Sequence, residues 1–187
     1  MTETQPQRLY TAFWLYSRRK EDPLWERAVE SPDQAAEPFV AALEAAAPQV
    51  RVRGVYATAG LSPEVDLIVG VVGDNAESLH NLAVALNRTP VGRALDVKRV
   101  YLGLAAGSQY DPKHSPAFLQ GKPPKKYLSV YPFGKTPEWF LLSFEQRREL
   151  MKVHGKMGDE FPTIQTNTVS SFGIADQEWI VALEDDD

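Results

Sequence analysis

Residues 50–72, VRVRGVYATAGLSPEVDLIVGVV, hold two apolar segments on either side of a turn. Val50 to Ala59 alternates apolar and polar residues as a half-buried strand does, Gly60 to Val65 has turn composition, and Asp66 to Val72 is a second apolar strand. The two form a hairpin. Upstream, from Ser31 or Asp33, the residues Phe39, Val40, Leu43 and Ala46/Ala47 recur at helical spacing, with Pro32 near the start and Pro48 at the end. Leu9 to Tyr16 (LYTAFWLY) precedes that helix as an apolar, aromatic strand, joined to it by a charged loop through Glu30. Downstream, Asp74 or Asn75 can cap a helix carrying Leu79, Leu82, Ala83 and Leu86 on one face, and Val97 to Leu104 returns as a strand. The order is β-α-β-β-α-β, the ferredoxin-like pattern.

The second half starts the same order again. A Pro/Lys/Gly-rich connector runs from Ser108 to Lys126, Tyr127 to Tyr131 reads as a strand, and Ser143 to Phe161 as a helix opened by a Ser143/Gln146 capping box. Thr163 to Phe172 and Glu178 to Glu184 read as a hairpin around Gly173 to Gln177, a turn like Gly60 to Val65. The expected fold is therefore α+β, a duplicated ferredoxin-like chain whose second half lacks its last helix and strand. Its parts are a first half over residues 1–107, a connector over 108–126 and a second half over 127–187.

Composition narrows the function. With 25 acidic against 20 basic residues, the net charge of −5 gives no electrostatic reason to expect a nucleic-acid partner. The absence of cysteine removes disulfides, thiolate metal sites, nucleophilic thiols and covalent c-type haem attachment. Met1 to Arg8 is polar and no apolar run approaches the roughly 20 residues that span a bilayer, so the sequence reads as cytoplasmic, without a membrane partner.

The three histidines, at 80, 114 and 154, are the whole imidazole supply. Leu150, Met151, His154 and Met157 are spaced three or four apart, which puts His154 on the apolar face of its helix, where an unpaired ring costs roughly 1–3 kcal/mol. A partner is expected there. Gly155 and Gly158 flank it, each costing about 1 kcal/mol relative to Ala inside a helix, as if something bulky approaches closely. An iron macrocycle would meet both requirements, since imidazole is an axial ligand and glycine clears the space beneath the ring. On pattern alone, a core or surface histidine near a fraying helix end stands ahead of it.

In Tyr127–Lys135 (YLSVYPFGK), Tyr127, Ser129 and Tyr131 share one strand face and Lys135 lies just beyond the strand. A polar–aromatic face beside a cation suits an apolar ligand with carboxylate edges, and Trp139 adds a second oxidisable ring; the plainer reading is an aromatic strand packed on a helix. His114, between Pro112 and Pro116, is free to act as a base near neutral pH or is simply solvated. His80 belongs to the surface of a helix whose Leu face is already accounted for. No phosphate loop, metalloprotease His pair or G-x-S-x-G element is present.

At these segments the sequence resembles the chlorite dismutase-like superfamily, and within it the coproheme decarboxylases of the actinobacterial type. The resemblance runs from about Leu9 to Glu184 and is densest in KHSPAF, KYLSVYPFGKTPEWFLL, FEQRRELMKVHGKMG and TVSSFGIADQEWIVALE, with support from VRGVYATAGL and NRTPVGRAL. It implies two ferredoxin-like halves in a dimeric α/β barrel, assembly as a homopentamer, and one non-covalent haem-type macrocycle per subunit in the second half.

Residue by residue, the resemblance implies that His154 is the proximal iron ligand. Tyr131 becomes a radical and takes hydrogen from a propionate, Lys135 holds a propionate carboxylate, and Trp139 lines the pocket. His114 is the distal base that deprotonates hydrogen peroxide. Met151, Gly158 and Thr166 complete the expected macrocycle contacts. The implied reaction converts iron coproporphyrin III to haem b by two peroxide-dependent decarboxylations, with a ferrochelatase as the supplier of coproheme. Chlorite-degrading members carry a distal arginine where Ile164-Gln165-Thr166-Asn167 places Thr166, so chlorite chemistry is not expected. The family also continues beyond this C-terminus with a helix, a strand and an Arg-x-Thr-Glu-like segment that helps close the pocket.

Overall fold

A computed structural model describes residues 8–110 and 115–187 of the chain. The described residues divide into two compact units, Leu9–Leu102 and Gly103–Asp187.

The N-terminal unit contains β1 (Leu9–Arg18), α1 (Leu24–Glu30), α2 (Pro32–Ala45), β2 (Val50–Ala57), β3 (Leu67–Gly73), α3 (Ala76–Arg88), α4 (Pro90–Arg93) and most of β4 (Leu95–Ala105). Its strands lie in the order β2-β3-β1-β4. The hairpin forms as its alternation demands: β2 runs antiparallel to β3 from Val50↔Gly73 to Ala57↔Leu67, with one irregularity between Val52 and Gly54. The turn is entered through Gly60 at φ 79°, a left-handed conformation that L side chains adopt at a cost.

Ala12, Trp14 and Tyr16 of β1 share a face with Val69 and Val71 of β3, and Phe39, Leu43, Leu79, Leu82 and Leu86 of α2 and α3 close over it. Burial pushes the Tyr16 phenol up to about 12, because the charged phenolate would lose its water. Thr11, Phe13 and Leu15 on the opposite face of β1 are also buried, and the Thr11 hydroxyl donates to the Val71 carbonyl at 2.9 Å. Burial on both faces explains why β1 reads as a continuous apolar run.

Asn75 caps α3, its side chain accepting the Ser78 N–H at 2.8 Å. Two short helices differ from expectation. The charged loop through Glu30 contains α1, which buries Leu24 and hangs the Trp25 indole N–H on the Arg19 carbonyl at 2.9 Å. About two turns is too short for a helical period to show. The four-residue α4 is capped by the Thr89 hydroxyl, which accepts the Gly92 N–H and donates to the Leu86 carbonyl.

The C-terminal unit holds the end of β4, then β5 (Tyr127–Phe133), α5 (Pro137–Leu141), α6 (Phe144–Gly158), β6 (Gln165–Ser170) and β7 (Trp179–Asp185). Its strands follow the order β4-β6-β7-β5, with β4 joined to β6 at Leu104↔Ser170. The duplication holds in the pairing as well as in the element order. In the first half β3 pairs with both β1 and β2, and in the second β7 pairs with both β5 and β6. A short helix precedes the long one in each half, and Gly173, at φ 72°, enters the second hairpin turn as Gly60 enters the first.

Candidate functional site

Register decides which side chains of the C-terminal sheet work together. Directly paired residues share a face, so Tyr131, Val181 and Thr168 form one row, Ser129, Leu183 and Thr166 the next, and Phe133, Trp179 and Ser170 a third. The opposite face carries Val169, Ile180, Ala182, Asn167 and Glu184, all buried. Asn167 fastens the connector to that side by accepting the Phe118 N–H at 3.0 Å. The buried side is thus a core, whereas Tyr131 on the other face is 46% exposed. Tyr131 and Thr166 are brought onto the same open face, two strands apart.

Beyond β5 the chain turns through Gly134 and Lys135 into α5. The Lys135 N–H donates to the Glu178 carboxylate at 2.9 Å. Its ammonium lies 4.6 Å from the Trp139 ring centroid and 5.3 Å from that of Phe133. Among the described residues it has no carboxylate partner. The structure therefore brings Lys135 and Trp139 together. Aromatic contacts continue outward: Tyr110 meets Trp139 edge-on at 6.4 Å and stacks on Phe144, the first residue of α6, at 5.6 Å. On the sheet side, Trp179 stacks on Phe133 at 6.3 Å and meets Phe172 at 5.5 Å.

The capping box that starts α6 is present as expected, with Ser143 Oγ accepting the Gln146 N–H at 3.2 Å and Gln146 Oε1 accepting the Ser143 N–H at 2.9 Å. The helix nevertheless buries no residue. Arg147, Met151 and Gly155, spaced by four, are half-buried, while Leu150, Val153 and Met157 are 52%, 57% and 62% exposed. His154 is exposed beside the half-buried stripe and, among the described residues, has no hydrogen-bond partner. The stripe around His154 is thus not covered by a core, and the partner expected for the imidazole is not among the described residues. Spacing identifies the shared face of a helix but not whether anything covers it. Gly158 proves to be the last residue of α6 rather than an interior one.

A Cβ built on Gly155 or on Gly158 would meet no atom within 4 Å. Among the described residues Arg147 Nε and Trp179 Nε1 are buried without hydrogen-bond partners, which natural proteins rarely tolerate. An apolar helix face left open, two glycines facing open space, an unengaged imidazole and orphaned donors fit a flat, largely apolar ligand with anionic edges and an iron atom. His154 would hold the iron, Met151, Gly155 and Gly158 would lie under the ring, and Lys135 would meet a carboxylate. His114, the expected distal base, lies outside the described residues. Tyr110, Phe133, Arg147 and Glu178 escaped sequence reasoning. Only the strand register and the turn into α5 bring them to the site.

A groove of about 480 Å³ in the N-terminal unit is lined by Val40, Leu43, Ala47, Pro48, Val50 and Val52, with Glu44 and Arg51 its charged residues. No expected site residue falls in it.

Comparison with known proteins identifies the family. The family model described as chlorite dismutase matches residues 32–187. The chain belongs to the chlorite dismutase family. A coproheme decarboxylase from Mycolicibacterium smegmatis (strain ATCC 700084 / mc(2)155) is 37% identical over 136 residues, 72% of this chain. That match spans 59% of the relative's own length. Among solved structures, chlorite dismutase from Candidatus Nitrospira defluvii in complex with imidazole superposes with a TM-score of 0.81 at 21% identity, covering 98% of this chain and 79% of the other. A variant of that enzyme in complex with cyanide gives 0.81 at 20% identity, covering 98% and 78%. These structures establish the fold that the chain shares with chlorite dismutase family members, a duplicated ferredoxin-like α+β architecture. No helix among the described residues is long and apolar enough to cross a membrane.

Proposed function

We propose that the chain is a coproheme decarboxylase, converting iron coproporphyrin III to haem b with hydrogen peroxide as oxidant. The observation that carries the reading is the pairing of an exposed phenol, Tyr131, with an ammonium just past the same strand, Lys135, held over two rings and, among the described residues, without an acidic partner. A protein that only carried haem would need neither an oxidisable phenol beside a propionate nor a base for peroxide. Similarity to the Mycolicibacterium enzyme supports the same reading.

The iron of the substrate supplies the redox chemistry with peroxide. Each propionate gives a vinyl group and carbon dioxide: −CH₂CH₂COO⁻ + H₂O₂ + H⁺ → −CH=CH₂ + CO₂ + 2 H₂O. His154 would hold the iron of the substrate. His114 would take a proton from peroxide, work suited to an imidazole because its unperturbed pKa is about 6.5. Tyr131 loses its phenolic hydrogen to become a phenoxyl radical and recovers one from the propionate side chain. The oxidant drawn from peroxide takes up first the phenolic hydrogen and then the second electron, and the carbon–carbon bond to the carboxylate breaks to give carbon dioxide and the vinyl group. Lys135 fixes that carboxylate, which contributes to rate by positioning. Thr166 offers no cation on the open face, so chlorite is not the proposed substrate. The reading extends to a cytoplasmic homopentamer fed by a ferrochelatase.

Tyr131→Phe tests the assignment. The variant should bind iron coproporphyrin III as tightly as the wild type and leave both propionates intact when peroxide is added. Normal turnover would remove Tyr131 from the chemistry.

A further inference from the structure

We infer that Trp139 is a positioning residue for Lys135, the indole and the Phe133 ring holding the ammonium on their faces so that it is already in place when a carboxylate arrives. The inference rests on the carboxylated macrocycle proposed above and adds how its anionic edge is met.

Every other component of this device is anchored. The Lys135 main chain is tied to Glu178 at 2.9 Å. The Phe133 ring lies nearly parallel to Trp179, at 17° and 6.3 Å. Trp139 sits in the first turn of α5, its N–H bonded to the Thr136 carbonyl at 3.0 Å, and its ring is braced edge-on by Tyr110. What remains free is the four-carbon stem of Lys135. Such a stem loses rotamer freedom when it is fixed, and that loss opposes binding.

The ring faces settle that freedom before binding. The ammonium distances of 4.6 and 5.3 Å fall within the roughly 6 Å over which a cation is attracted to a ring face. A nearby carboxylate would have held the stem too, but as an ion pair it would compete with an incoming anion. Glu178, the acid closest in the chain's own hydrogen bonding to Lys135, instead spends its carboxylate on the main-chain N–H. A ring face orients the cation without neutralising it. Preorganisation of this kind raises affinity by lowering the ordering cost of binding.

The test couples two residues and two readouts. In the ligand-free protein, after reductive methylation with ¹³C, the dimethyl-Lys135 resonance should lie upfield from ring current. It is assigned by its loss in Lys135→Arg, and it should return toward the free-lysine position in Trp139→Leu. Iron coproporphyrin III affinity is then measured for wild type, Trp139→Leu, Lys135→Met and the double variant. Trp139→Leu should weaken binding about 3- to 10-fold when Lys135 is present and hardly at all when it is Met. Trp139→Phe should recover part of the loss. Fluorinated tryptophans, which weaken the ring face while preserving its shape, should lower affinity stepwise, so the test survives if Trp139→Leu folds poorly. Losses that simply add in the double variant, or an unshifted Lys135 resonance, would overturn the inference. Failure of the wild type to bind iron coproporphyrin III would overturn the proposed function instead, while the methyl resonance would still report on the cradle.

Discussion

Gly155→Ala should strengthen the empty protein and weaken the loaded one. Gly155 lies inside α6, its φ is not among the positive values, and a methyl group there would meet no atom within 4 Å. The only intrinsic effect in the ligand-free protein is then the helix propensity gain, about 0.8–1 kcal/mol. For a chain of this size that raises the midpoint of thermal unfolding by about 2–4 °C. With the macrocycle bound the same methyl occupies the space the ring would fill. Forcing an extra carbon into such a contact costs about 1–3 kcal/mol, a 5- to 150-fold loss of affinity. Thermal unfolding of the empty and the coproheme-loaded protein, with an absorbance titration for affinity, measures both signs. The reasoning is refuted on its structural side if the empty variant is destabilised. It is refuted on its functional side if stability rises and affinity is unchanged, because the glycine would then clear space for nothing.

Other consequences are more local. His154→Ala should abolish tight iron coproporphyrin III binding, and added imidazole should restore part of it, seen as recovery of the ligated iron's absorption spectrum. Gly92→Ala should cost about 2–3 kcal/mol in denaturant unfolding, since its Cβ would fall 1.9 Å from the Leu86 carbonyl oxygen, a main-chain atom. The Asp185 carboxyl is held below the usual range by the Asp186 N–H and then by the Thr163 hydroxyl, with Lys125 adding to it. A lowered folded-state pKa stabilises above the unfolded value near 4 and is lost as pH falls through the folded value. Asp185→Asn should therefore flatten the acid limb of stability below about pH 4 and leave the neutral limb parallel to wild type.

Much of the fold could be read from period and caps. The hairpin at Val50–Val72, the Ser143/Gln146 capping box and the repeat of element order all lie where local chemistry puts them, because each depends on neighbours close in sequence. α1 and α5 were not legible: they are one or two turns long, and what holds them lies outside their own period, such as the Trp25 indole N–H donated to the Arg19 carbonyl six residues back. The site divides in the same way. Tyr131, Lys135, Trp139 and His154 stand out by residue type and spacing. Glu178 and Phe133 do not, since their roles come from β5–β7 register, and Tyr110 reaches Trp139 only through the turn into α5. The exposure of His154 is not legible in its spacing, because an apolar stripe at helical spacing looks the same whether a core, a ligand or solvent covers it.

The central claim is that the open face and helix of the C-terminal unit hold iron coproporphyrin III and oxidise it. Its most direct test is the mass of the pigment recovered as peroxide is added to the loaded protein. The account predicts stepwise loss of two carbon dioxide equivalents, ending at haem b. Iron coproporphyrin III bound through His154 but recovered at its original mass would contradict it.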